Sequence, residues 1–165
     1  MFNNESINNM SEEEKLKFMN VFLKGQLDSE DDDLANISNS AAIINAFVNR
    51  INWVGFYFLR GDELVLGPFQ GLPACNRIKI GSGVCGTAIE TSQIQLVPDV
   101  HEFPNHIACD SASNSELVIP IIKDEIKIGV LDIDSPEKNR FSQLHIDYLV
   151  KFIDLLNKKI NWNNI

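Results

Sequence analysis

Cys85 stands in GSGVCGTA, directly after a Gly-x-Gly turn and near the start of a short helix. A helix N-terminus presents free N–H groups and the positive end of the macrodipole, so it stabilises an anion and is expected to lower the pKa of a thiol. The other use of Cys85 is as a small apolar side chain packing that helix on a sheet, and the sequence leaves both open. Cys109 lies in HIACDSASNSE, inside the longest polar loop, where function concentrates and a thiol has less reason to be core. Cys75, in GLPACNR, sits in a loop of its own. Thiols from three separate loops can still converge, and any pair whose Cα atoms come within roughly 4.4–6.8 Å can close a disulfide. That is a pattern for thiol redox chemistry, with an attacking and a resolving cysteine.

Asp132 and Asp134 in VLDIDS differ by two, so on a strand both carboxylates face one way. Two acids late in an otherwise apolar strand are costly unless they serve something: holding an ammonium, sharing a proton or binding a metal. Metal is the weakest of these, because the His and Cys positions show no ligand spacing. Glu116 opens the preceding strand and joins the pair if the register allows. Crowded carboxylates raise at least one pKa and keep a proton available near neutral pH. His101 and His106 flank the polar loop as base or orienter for Cys109, or simply as loop histidines bonded locally. Trp53, Phe56, Tyr57 and Phe58 form an aromatic strand. Alternation puts Trp53 and Tyr57 on one face with Gly55 between them, which predicts open space beneath two rings whose polar tips need partners, whereas Phe56 and Phe58 suit the core.

These residues need elements to position them. Ser11 with Glu14 fits a capping box, and Leu16, Met19, Phe22 or Leu23, and Leu27 predict a helix over about residues 11–27. The acidic run Asp28 to Asp33 lacks the glycine and closing glutamate of a calcium loop and suits a helix start. Leu34, Ile37, Ala41, Ile44, Val48 and Ile51 then keep one apolar face through a second helix. WVGFYFLR and ELVLGPFQG read as a hairpin, RIKIG as a third strand, VCGTAIETS as a short helix and QIQLV at 93–97 as a fourth strand. ELVIPIIK and KIGVLDID make a last hairpin whose apolar runs suit strands buried on both faces, and residues 141–162 carry a final amphipathic helix. The expected architecture is α+β: a central six-stranded, mainly antiparallel sheet in a single domain over 1–165, with N- and C-terminal helices packed on one face and a ligand pocket on the other. The Asn-rich ends, 1–10 and 161–165, are expected to fray.

With 14 Lys+Arg against 23 Asp+Glu, the net charge of −9 works against nucleic acid as a partner. No run approaches the roughly 18–20 apolar residues of a membrane span, and the first ten residues lack the order of a signal peptide, so a soluble cytoplasmic protein is expected. An odd cysteine count without a C-x-x-C pair argues against a secreted disulfide framework and a zinc ribbon. No Lys-Ser/Thr follows the glycine turn, which rejects Walker-type nucleotide binding.

INWVGFYFL, LVLGPFQG, PACNRI, GSGVCGTA, PDVHEFPNHIACDSASNSE and IGVLDIDS together resemble the free methionine-(R)-sulfoxide reductases, stand-alone enzymes of GAF fold, over roughly residues 34–150. The resemblance implies reduction of the R epimer of free methionine sulfoxide to methionine, with thioredoxin as electron donor and no metal or organic cofactor. It assigns Cys109 as the attacking cysteine and Cys75 as its resolving partner, with Cys85 as the rival nucleophile. Glu116 and Asp134 match residues that polarise the sulfoxide, Asp132 one that holds the substrate ammonium, and Trp53 and Tyr57 the aromatic wall around the S-methyl group. The N-terminal 33 residues match less well, which leaves the first helix and any homodimer contact it makes open. A non-catalytic ligand-binding or thiol redox-sensing GAF module is the alternative, since fold does not fix function.

Overall fold

Ser11 starts the first helix as its spacing predicts: its hydroxyl accepts from the Glu14 N–H at 3.3 Å while its own N–H donates to Glu14 Oε2 at 2.8 Å. In this computed structural model, which describes residue 7, residues 9–104 and residues 111–165, helix α1 runs Glu12–Ser29 and α2 runs Asp33–Phe47. The Asp32 carboxylate caps α2 by accepting from the Ala35 N–H at 2.7 Å, so the acidic run is a helix start. Helix α2 stops four residues before Ile51, because Arg50 turns through φ 59° and Asn52 already donates to the Asp134 carbonyl at 3.0 Å, entering the sheet.

The strands are β1 (Trp53–Arg60), β2 (Glu63–Gln70), β3 (Arg77–Lys79), β4 (Gln95–Val97), β5 (Ser115–Lys123) and β6 (Ile126–Ser135), with α3 (Gly83–Thr91) between β3 and β4 and α4 (Gln143–Lys159) after β6. The sheet order is β3-β2-β1-β6-β5-β4, and all of these pairings are antiparallel. Alternation divides the sheet cleanly. Val54, Phe56, Phe58, Leu117, Ile119, Leu131 and Ile133 meet the buried faces of α1, α2 and α4 in one apolar core. Trp53, Tyr57, Val118 and Val130 point the other way and pack with Val84, Cys85, Ala88 and Ile89 of α3. The fold is the expected α+β arrangement, with terminal helices on one face and the acids on the other.

Two features of the helical layer depart from expectation. Residues 161–165 close onto the body instead of fraying: Trp162 is buried, its Nε1–H donates to Asn157 Oδ1 at 2.9 Å, and the Asn164 amide donates to Asp33 Oδ2 at 2.7 Å. The apolar indole outweighs the polar asparagines around it. Of the N-terminal ten, residues 1–6 and 8 lie outside the described residues, while Ile7 is buried in the helical core. The second feature is Arg140, a buried charge that apolar periodicity does not reveal. Its guanidinium donates to the Asn49 carbonyl at 3.0 and 2.8 Å and pairs with Glu12 at 2.6 Å, tying the start of α1 to the end of α2 just ahead of α4.

Candidate active site

Strand register decides which acids meet. Glu116 of β5 lies opposite Asp134 of β6, Val118 opposite Asp132, and across the other seam Trp53 pairs with Asp134 and Gly55 with Asp132. Glu116, Asp132, Asp134, Trp53 and Tyr57 therefore share the face away from the helical layer, as alternation predicts. The turn before α3 takes φ values of 80° at Gly81 and 62° at Gly83, and it delivers Cys85 to the same place. Its Sγ lies 3.9 Å from Glu116 Oε1, and Cys85, Glu116 and Asp132 each bring a ligand atom within 4.8 Å of the others.

These three groups are buried, and burial governs their ionisation. The carboxyl of Asp132 is pushed up to about 6 by desolvation, opposed by hydrogen bonds from Cys85, Glu116 and the Ile133 N–H. Glu116 is raised well above the ordinary carboxylate range, first by burial and then by the charges of Asp132 and Asp134. Both carboxyls are raised and act on one another, so the pair holds a proton to higher pH than free carboxyls do. The cluster thus supplies a negative charge and a neutral acid side by side. Cys85 goes the opposite way from the helix-dipole expectation: burial and the charges of Asp132, Glu116 and Asp134 push its thiol up. Desolvation and like charge outweigh the dipole, so Cys85 sits as a protonated thiol.

The aromatic pair also differs from expectation. The face above Gly55 is filled: a Cβ there would lie 2.5 Å from Trp53 Cη2 and 2.5 Å from Phe69 Cβ. The indole lies across the glycine and stacks on Phe69 at 5.4 Å and on Tyr57 at 5.9 Å between centroids. The polar tips find partners in the loop that bears Cys75, Trp53 Nε1–H donating to the Leu72 carbonyl at 3.1 Å and Tyr57 Oη–H to the Cys75 carbonyl at 3.0 Å. Burial and the surrounding acids raise the Tyr57 phenol, so it stays a donor. Cys75 is half-buried and disulfide-bonded, and Cys85 is a free thiol.

Cys109 and His106 lie outside the described residues. His101 is exposed and its Nε2 pairs with Asn114 Oδ1 at 3.0 Å, the local loop role. Sequence reasoning gave no role to the residues that stitch the polar loop to the sheet: Asn52 Nδ2–H donates to Ser113 Oγ at 3.1 Å, Asn114 Nδ2–H to the Pro136 carbonyl at 2.8 Å, and Ser115 Oγ–H to the Glu137 carbonyl at 2.5 Å. Their signal was the Ser-Asn-Ser run ahead of Glu116, residue types that bond nearby backbone at loop ends.

The GAF domain family matches residues 39–156. The free methionine-R-sulfoxide reductase of Saccharomyces cerevisiae is 40% identical over 158 residues, covering 91% of this chain and 88% of the yeast protein. That of Escherichia coli is 54% identical over 109 residues, 66% of each chain. The X-ray structure of free methionine-R-sulfoxide reductase from Neisseria meningitidis in complex with its substrate superposes with a TM-score of 0.88 at 38% identity, covering 94% of this chain and 93% of that one. With register, acid cluster and likeness in agreement, the chain belongs to the GAF domain family and, within it, to the free methionine-R-sulfoxide reductases.

Proposed function

We propose that this protein reduces free L-methionine (R)-S-oxide to L-methionine through a cysteine thiolate. The observation that carries the reading is the buried Glu116–Asp132 pair, which sets a retained proton beside a carboxylate. A sulfoxide sulfur is a poor electrophile until its oxygen is protonated or strongly hydrogen-bonded, which a neutral Glu116, assisted by Asp134, supplies. The Asp132 carboxylate pairs with the substrate ammonium, and the Trp53 and Tyr57 rings wall the S-methyl group. Cys109 attacks sulfur. The methionine S–O bond breaks as the oxygen, with the proton given by the acid pair, is transferred to the Cys109 sulfur, so methionine leaves as the sulfide and Cys109 becomes a sulfenic acid. The Cys75 thiol displaces it as water, and the Cys75–Cys109 disulfide that results is returned to two thiols by an external dithiol, which we assign to thioredoxin.

Two findings support this division among the cysteines. Cys75 is disulfide-bonded, whereas Cys85 is a free, buried thiol whose ionisation is opposed by its neighbours. Cys85 thereby serves as a hydrogen-bond donor to the acid pair instead of as nucleophile or resolver. Because the external dithiol supplies the electrons, the cycle as proposed uses no bound metal or organic cofactor. The dithiol step calls for a reducing compartment, so we assign the cycle to the cytoplasm, where thioredoxin is available, and the net charge of −9 works against a nucleic-acid partner; among the described residues no helix is long and apolar enough to cross a membrane.

The test is dithiothreitol-driven release of methionine from the separate R and S epimers of free methionine sulfoxide, with the N-acetylated R epimer as control. Turnover confined to the free R epimer is expected, since acylation deletes the ammonium and leaves a buried carboxylate unpaired. No turnover with any of them, in folded protein with reduced thiols, overturns the reading in favour of a ligand-binding or redox-sensing module.

A further inference from the structure

The geometry of Cys85, Glu116 and Asp132 points, we propose, to a site for one zinc-like divalent cation that excludes the substrate when filled. The ligand atoms of the three side chains lie within 4.8 Å of one another, with Cys85 Sγ at 3.9 Å from Glu116 Oε1. A tetrahedral zinc ion with sulfur at about 2.3 Å and carboxylate oxygen at about 2.0–2.2 Å holds these atoms roughly 3.5 Å apart, so Cys85 and Glu116 need to close by a few tenths of an ångström and Asp132 by at most about 1.3 Å. A second observation is independent of that spacing. Asp132 is only 7% exposed, and the hydrogen bonds to its carboxyl leave the Oδ1 atom buried without a partner of its own. A buried carboxylate oxygen lacking a donor is rare in folded proteins, and a cation satisfies it directly.

The donor set selects the ion. One sulfur with two carboxylates is too soft for magnesium or calcium and suits zinc or cadmium, with a fourth position left to water. As the metal binds, the Cys85 thiol gives up its proton to solvent and a sulfur–metal bond forms, with no electron transferred. The filled site is inhibitory. Asp132 is withdrawn from the substrate ammonium, and Glu116, now a ligand, no longer holds a proton for the sulfoxide oxygen. The exclusion of substrate rests on the reductase reading above, whereas metal binding itself does not.

The experiment uses the full chain oxidised until thiol titration leaves one free thiol, so that a thiolate–metal signal has one source. Cadmium chloride is titrated in while the ultraviolet thiolate-to-cadmium charge-transfer absorption is followed. We expect saturation at one cadmium per chain, displacement by zinc, and weaker binding in the presence of L-methionine sulfoxide. In Cys85→Ser the band should vanish, and Asp132→Asn should weaken binding by at least the about 10-fold that loss of even an outer-shell partner costs. Absence of a band in the oxidised wild type, or a band unchanged in Asp132→Asn, overturns the site. The second variant decides the matter if Cys85→Ser does not fold. A saturable band in a protein without methionine turnover keeps the metal site and removes the reductase, and turnover without a band does the reverse.

Discussion

At the scale of single residues, chemistry here depends on which group keeps a proton. Glu116 and Asp132 are both buried acids, yet Asp132 receives hydrogen bonds that favour its anion while Glu116 faces the charges of Asp132 and Asp134. Their conservative variants should therefore fail differently. Glu116→Gln removes the proposed proton donor and should lower kcat by about 10²–10⁴-fold with a modest change in KM, whereas Asp132→Asn removes the proposed ammonium partner and should raise KM most. Steady-state kinetics on free L-methionine (R)-S-oxide separates the two, and equal loss in both parameters for both variants would undo the assignment. The cysteines divide likewise. Cys109→Ser should abolish turnover, and Cys75→Ser should still release about one methionine per enzyme before stalling as the sulfenic acid. Full multi-turnover activity in Cys109→Ser would overturn the choice of nucleophile.

At the scale of elements, the site is a product of register and of one glycine. Trp53 can lie flat because Gly55, two residues on, has no Cβ to meet it. Gly55→Ala should lift the indole, break the Trp53 Nε1 bond to the Leu72 carbonyl and loosen the Cys75 loop, at a cost of about 1–3 kcal/mol in stability. Chemical denaturation, together with a red shift and loss of structure in the tryptophan emission, checks this. Wild-type stability and an unshifted spectrum would count against it. How much of this was legible varies with the physics involved. The two-residue spacing of Asp132 and Asp134 fixes their common face, and apolar alternation puts Glu116 on that face once the hairpin forms. The capping box at Ser11 and the aspartate cap at Asp32 are local and read directly. What alternation cannot show is a side chain's direction over its own strand, so the space above Gly55 looked open when Trp53 fills it. Likewise, the helix position of Cys85 is visible in the sequence, but the acids that raise its pKa arrive from strands some thirty and more residues away.

Across the whole molecule the two faces of the sheet titrate in opposite directions, and the site must be less stable than a neutral core would be. His145, buried beside Arg140 in the helical layer, has its pKa lowered first by burial and then by the arginine charge. The unfolded chain binds the extra proton there, so that contribution is complete above about pH 6.5 and is lost as pH falls toward the depressed value. Glu116 and Asp132 have raised values, so the folded chain binds more protons. Their contribution is complete below about pH 4 and is lost as pH rises through about 6 for Asp132 and as the raised Glu116 carboxyl ionises. Between pH 4 and 6.5 the two slopes oppose each other, whereas above 6.5, of these three groups, the two acids alone keep a slope. The substrate-free protein should therefore lose stability from pH 6.5 to 8. Asp132→Asn removes a charge that the wild type already buries by pH 6.5 and should be the more stable protein at pH 8, by an amount of the order of 2 kcal/mol, or roughly 4–8 °C in Tm for a domain of this size. Free methionine, by bringing an ammonium to Asp132, should recover part of that loss in the wild type and little in the variant. Thermal melts at pH 6.5 and 8, with and without methionine, decide the point. A Tm for Asp132→Asn at pH 8 equal to or below that of the wild type would mean that the carboxylate charge is already compensated within the protein, leaving no electrostatic reason for it to seek an ammonium.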